Sequence, residues 1–198
     1  QMDYMLRNST DPGESFRMVT LVLARHENKE AAVNATQQLV DRYPGSHHAW
    51  MAMSRLAVVA DQLDRALNAV NRALDLQPGA PSAIILKAQV LVRQQRNADA
   101  TALLGDAVSS QPKNTDLLFA HARMLLDSED LDGARKQFLN IFKLDPKHAD
   151  ALYSLALLEL ETGDFRSGEK HLRQLLELKQ HVQNAYYYLG YATHEQGK

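Results

Sequence analysis

The side chains able to do chemistry here are eight histidines, a scatter of carboxylates and a set of arginines, with no cysteine at all. His47 and His48 are adjacent, and neighbours on a helix point about 100° apart, so the pair does not form a two-ligand metal site. The carboxylates Glu159 and Glu161, and Asp127, Glu129 and Asp130, fall at expected helix ends and turns, where caps and solvated charges belong. His121 reads as a packing histidine; His148, His171, His181 and His194 read as surface residues. There is no glycine-rich phosphate loop, no HExxH, no GxSxG and no CxxC. The expectation is a chain that is not an enzyme and carries neither metal nor cofactor. What is left is recognition chemistry. Arg55 and Arg123 offer planar donors suited to carboxylates or backbone carbonyls, and Gln89 lies midway between them in sequence.

That spacing belongs to the whole chain. Pro44, Pro78, Pro112 and Pro146 stand 34 residues apart, each after a helix-like run. Proline lacks the N–H needed to continue a helix and pushes the preceding residue out of the α region. Counting each unit from three residues after a proline gives repeats 13–46, 47–80, 81–114, 115–148 and 149–182. Residues 1–12 read as the end of a preceding repeat, and 183–198 as the first helix of a sixth. The eighth residues are Thr20, Ser54, Ala88, Ala122, Ala156 and Gly190; the twentieth are Ala32, Ala66, Ala100, Ala134 and Gly168. Small residues at two fixed positions let paired helices approach, and the large apolar residues between them fill the seam. Expected helix pairs are 14–27 with 29–43, 47–60 with 62–76, 115–128 with 131–144, and 149–162 with 165–179, followed by 183–196. Asn28 and Thr115 are candidate caps, and Pro81 suits a first helical turn.

With Trp50, Leu189-Gly190, Phe165 and the four prolines at its signature positions, the chain resembles the tetratricopeptide repeat (TPR) family. The resemblance covers residues 13–198 and departs from the pattern at Gln180 (for proline) and Gly168 (for alanine). It implies an all-α fold, a right-handed superhelix or α-solenoid of antiparallel helix pairs, forming one array. It also implies a concave groove lined by the first helices of the pairs. Carried over by position, that groove holds Arg17, Met18, Leu21 and Arg25, then His48, Met51, Arg55 and Val58. It continues with Ile85, Leu86, Gln89 and Arg93, then Phe119, Arg123 and Leu126, then Tyr153 and Leu157. Tyr187, Tyr188 and Tyr191 complete it. Met51, Ile85, Phe119 and Tyr153 would form an apolar and aromatic stripe around the arginines, suited to protein or peptide partners with apolar anchors and some negative charge.

The alternative is that these residues pack on one another, with the arginines paired to Asp116, Asp127 or Asp150 and partners bound elsewhere. The exposure of the Tyr186–Tyr188 run would then reflect only a helix that follows it. The chaperone-type carboxylate clamp is not matched, because Met51, Arg55, Leu86, Asp116 and Ala120 hold the corresponding places.

A net charge of −2 and a pI near 6.5 leave no basic stripe for nucleic acid. No apolar run approaches the roughly 18–20 residues of a membrane span, so any attachment would be through an anchor elsewhere. The chain starts at Gln1 and stops at Lys198, and reads as a piece of a longer protein.

FAHARMLLDSEDLDGARKQF and NAYYYLGYATHEQGK further resemble the Gram-negative outer-membrane TPR lipoproteins that act as adaptors of a periplasmic carboxy-terminal processing protease. That resemblance implies the periplasmic face of the outer membrane. It makes the protease and its substrates, including cell-wall hydrolases, the partners. A TPR scaffold of an envelope polysaccharide synthesis and export complex is the alternative, and a cytoplasmic setting stays open.

Overall fold

The computed structural model describes residues 29–197, all of whose regular structure is α-helical. Its helices are α1 (Lys29–Arg42), α2 (His47–Val59), α3 (Leu63–Leu76), α4 (Pro81–Arg93) and α5 (Asn97–Ser110). Then come α6 (Thr115–Asp127), α7 (Leu131–Leu144), α8 (Ala149–Glu161), α9 (Phe165–Glu177) and α10 (Val182–Glu195). The helix expected at 14–27 and the proposed cap Asn28 lie outside the described residues.

The punctuation between helices repeats with the same 34-residue period. Asp61, Gln95, Glu129 and Gly163 occupy one repeat position, and each has positive φ (60°, 62°, 62° and 80°). The residue after each one donates its N–H five residues back: Gln62 to Ala57 O, Arg96 to Leu91 O, Asp130 to Leu125 O and Asp164 to Glu159 O, at 2.8–2.9 Å. This satisfies carbonyls that the helix end would otherwise leave open, with the left-handed residue making the reversal. After α9, where Gln180 stands in place of proline, Lys179 (φ 55°) makes a left-handed turn of the same kind. By contrast, α3 and α7 run out through Gln77 and Asp145, both at φ −138°.

Starts are capped by side chains. Ser46, Asn114, Asp130, His148 and Asp164 each accept a hydrogen bond from the backbone N–H three residues on. Pro81 sits at the first position of α4, where no N–H is required. Thr115 is therefore not a cap but the first residue of α6, because Asn114 Oδ1 already takes the Leu117 N–H at 3.1 Å.

Packing divides the chain into two compact units, Gln1–Leu103 and Leu104–Lys198. In the first, α3 buries Ala66, Ala69, Val70 and Ala73, an i, i+3, i+4, i+7 stripe. These residues join two successive clusters. Ala69 packs with Val33, Leu39 and Val40 of α1 and Met53 and Leu56 of α2. Val70 and Ala73 pack with Met51 of α2 and Ala83 and Leu86 of α4. In the second unit, Phe138 and Ile141 of α7 pack against Leu118 of α6 and Leu155 of α8. Leu152 and Leu160 of α8 then pack with Leu172 and Leu175 of α9 and Ala185 and Ala192 of α10. Each helix serves two neighbours, so the core is a strip in each unit. The small residues sit where the seams are tightest: Ser54, Ala122, Ala156, Ala66, Ala100 and Ala134 show 0% exposure. Ser54 Oγ also donates to Ala66 O at 2.9 Å, tying the eighth position of a repeat to the twentieth.

Candidate functional site

The sequence placed a binding surface on the first helices of the pairs, and the two units are taken separately. In the first, Arg17 and Arg25, with Met18 and Leu21, lie outside the described residues. His48 is exposed, its ring edge-on to His47 at 5.4 Å. The His47 ring instead faces inward, with Nδ1 2.9 Å from Ala73 O. Met51 does not line a surface. It is 6% exposed and packed among Val70, Ala73, Ala83 and Leu86, and Leu86 is itself buried. Both side chains fill the seam where α2 and α4 meet α3. Ile85 is half-buried, while Arg55 and Gln89 are exposed. Arg93 is exposed but engaged, its Nη2 donating to Asp61 Oδ1 at 2.9 Å.

In the second unit the aromatic positions form a pattern that the sequence did not announce. Phe119 of α6 stacks on His148 at 5.5 Å, and Tyr153 of α8 stacks on His181 at 4.8 Å with the planes 5° apart. Phe119 and Tyr153 share one repeat position, and each histidine is the N-cap residue of the next first helix. The rings thus clasp consecutive repeats together. His148 and His181 are half-buried parts of these clasps rather than simple surface residues. His181 Nε2 also meets Asp150 Oδ1 at 2.8 Å, which takes Asp150 away from any arginine.

Tyr188 extends the second clasp, edge-on to Tyr153 at 6.2 Å and to Tyr187 at 5.1 Å, and Tyr187 is 73% exposed. Burial, with Tyr188 beside it, raises the Tyr153 hydroxyl above its ordinary pKa, so it stays a neutral hydrogen-bonding group. Tyr191 does not join this group: it packs edge-on to Phe165 of α9 at 6.0 Å. Leu157 is half-buried. Arg123 is exposed, and neither Arg55 nor Arg123 forms an ion pair with another described residue.

Two groups read from sequence as solvated are buried. Glu159 and His171 are 4% and 8% exposed, with His171 Nδ1 2.7 Å from Glu159 Oε2. The signal available in the sequence was their register, since the same positions of the second repeat are Ala57 and Ala69. His121 is half-buried as expected, and burial lowers its pKa despite the opposing charge of Asp130. Among the described residues no group of three or more His, Cys, Asp or Glu side chains is arranged to hold a metal ion. None of the described helices is long and apolar enough to cross a membrane.

Antiparallel helix pairs repeating every 34 residues, with small residues at the eighth and twentieth positions, define a tetratricopeptide repeat array. The chain belongs to that family: residues 23–151 match the model described as the cytochrome c-type biogenesis protein H TPR domain. Residues 125–190 match a second model, described as tetratricopeptide repeat. No curated protein matches the chain.

Among solved structures it is similar to YrrB, described as a TPR protein with an unusual peptide-binding site. Identity is 18% over 94% of this chain and 96% of that one, with a TM-score of 0.60. A thermophilic TPR protein of Thermus thermophilus is 14% identical over 91% and 98%, with a TM-score of 0.68. MamA from Desulfovibrio magneticus RS-1 is 17% identical over 85% and 96%, with a TM-score of 0.63. These likenesses carry the fold. Families of this kind are protein-interaction scaffolds, typically non-catalytic.

Proposed function

We propose that the chain is a non-enzymatic scaffold that holds a protein or peptide partner on the exposed face of its first helices. The observation that carries this is the joint exposure of Tyr187 with the guanidinium of Arg123 in the second unit, and of Arg55 in the first, neither guanidinium being in an ion pair with another described residue. Aromatic rings offer large, rigid contact area, and a free guanidinium adds a directional bond to a carboxylate or carbonyl. Ile85 and Gln89 lie on a first helix of the first unit, and Phe119, Tyr153 and Leu157 on first helices of the second. YrrB, a structure of similar fold, is described as having an unusual peptide-binding site, in keeping with a peptide as one class of partner.

The family description suggests an assembly: the partners belong to cytochrome c-type biogenesis, and the matched stretch 23–151 includes both Arg55 and Arg123. A second reading rests on the segments 119–138 and 184–198. It makes the chain an adaptor that brings cell-wall hydrolases to a carboxy-terminal processing protease at the periplasmic face of the outer membrane.

Crosslinking and pull-down from cell-envelope extract, comparing the parent with Arg55→Glu/Arg123→Glu, tests both. Recovery of cytochrome c biogenesis proteins by the parent alone supports the first reading. Recovery of a protease or cell-wall hydrolase supports the second. Equal recovery of the same proteins by parent and variant removes the exposed first-helix face as the site.

A further inference from the structure

The outward side of the second helices changes charge along the chain. At about 100° per residue, the eighteenth, twenty-second, twenty-fifth and twenty-ninth residues of a repeat share one arc of the helix, about 60° wide. In α7 that arc holds Asp132, Lys136, Leu139 and Lys143, opposite the buried Ala134, Phe138 and Ile141. In α9 it holds Arg166, Lys170, Arg173 and Glu177, opposite the buried Leu172 and Leu175. On α1 and α3 the same positions carry two carboxylates each, Glu30 and Asp41, then Asp64 and Asp75, and no cation. On α5 they are uncharged. The stripe thus passes from acidic through neutral to basic, in a chain whose net charge is −2.

The two basic stripes belong to neighbouring helices of the second unit, since Phe142 of α7 lies edge-on to His171 of α9 at 6.0 Å. Lys136, Lys143, Arg166 and Lys170 are exposed, and none forms an ion pair with another described residue. Arg173 is paired with Glu169. The carboxylates of the stripes, Asp132 and Glu177, stand at their ends and leave the cations uninterrupted. Asp130 and Asp164 are occupied as caps, and Asp145 Oδ1 accepts from the Lys147 N–H. Leu139, between Lys136 and Lys143, is 39% exposed, and Leu144 beside Lys143 is 43% exposed.

We infer that this face of the second unit docks on an anionic lipid surface, a role separate from the partner face of the first helices. Cations on an outward helix face with an apolar side chain between them suit a helix that lies on a membrane interface without crossing it. Lysine and arginine stems can cover apolar surface while their charged heads reach phosphate groups. The hollow at the α9 stripe is lined by that helix alone, with Glu169 and Gln174 beside the four stripe residues. It has no second wall to seat a partner helix, whereas mobile headgroups can gather under each cation separately.

The test is cosedimentation with vesicles of phosphatidylcholine alone or with about one-third phosphatidylglycerol, at about 0.05 M and about 0.5 M salt. The parent is compared with Lys136→Ala/Lys170→Ala and with Arg55→Gln/Arg123→Gln, which removes the same charge from first helices. All four substituted side chains are exposed, so the fold is kept, as matching circular dichroism spectra would show. The parent should bind the anionic vesicles at low salt, leave the neutral ones alone, and be released at high salt. Each cation lost near an anionic surface weakens partition roughly fivefold, so the lysine variant should bind about 25-fold less. The arginine variant should bind like the parent. Equal losses in the two variants, or equal binding to both kinds of vesicle, would overturn the inference. Retention on polyglutamate without binding to anionic vesicles would overturn it too, in favour of an acidic protein partner.

Discussion

Gly168 of α9 rests directly on Leu160 of α8: a Cβ built on the glycine would lie 2.7 Å from Leu160 Cδ2 and 3.3 Å from Ala156 O. The same two positions hold Val58 with Ala66, Val92 with Ala100 and Leu126 with Ala134 in earlier repeats, so the close contact is particular to how Leu160 lies over Gly168. Gly168→Ala gains about 1 kcal/mol of helix propensity but must displace Leu160 against a backbone carbonyl, an overpacking of about 1–3 kcal/mol. The expected outcome in denaturant titration is a small net loss of stability. Adding Leu160→Val should restore it, with the coupling read from the double-mutant cycle.

Ala66 is fully buried beside Ala57 and Val90, and its carbonyl accepts from Ser54 Oγ. Ala66→Leu should cost about 1–3 kcal/mol, because the seam has no room for three more carbons. Circular dichroism melts check it; an unchanged midpoint would break the alignment of repeats at this position.

Gln95 adopts φ 62° at the turn position that Gly163 fills with φ 80°. An L residue there carries strain of about 1–2 kcal/mol that glycine escapes, partly offset by glycine's greater freedom when unfolded. Gln95→Gly should therefore stabilise by roughly 0.5–1 kcal/mol, and Gly163→Ala should destabilise by about 1 kcal/mol. Opposite shifts in the melting midpoint are the measurement.

Asp164 caps α9, and hydrogen bonds from the Ser167 hydroxyl and amide hold its carboxyl below the usual carboxylate range, helped by Arg135 and His171. A lowered pKa in the folded state contributes stability above the unfolded value and loses it as pH falls through the folded one. Asp164→Ala should cost about 0.5–2 kcal/mol at neutral pH. The gap to the parent should close in acid, which melts across a pH series would show.

The sequence by itself determined the array. Proline period, small residues at two positions and helical apolar spacing are local signals, and they placed the start of every helix from α6 to α10 within one residue. They also placed Ser54, Ala66, Ala122 and Ala134 in the seams where the structure buries them. What only the tertiary structure decided was which way particular side chains face. Met51 carries a groove position's number but turns into the α2–α3–α4 core. Glu159 and His171 look solvated residue by residue, yet they meet across two helices, because pairing depends on how α8 and α9 rotate against each other. His148 and His181 became stacking partners only when the next helix brought them under Phe119 and Tyr153. A repeat fixes spacing along one chain; the direction of each side chain and its partner across a seam are set by how the helices pack on one another.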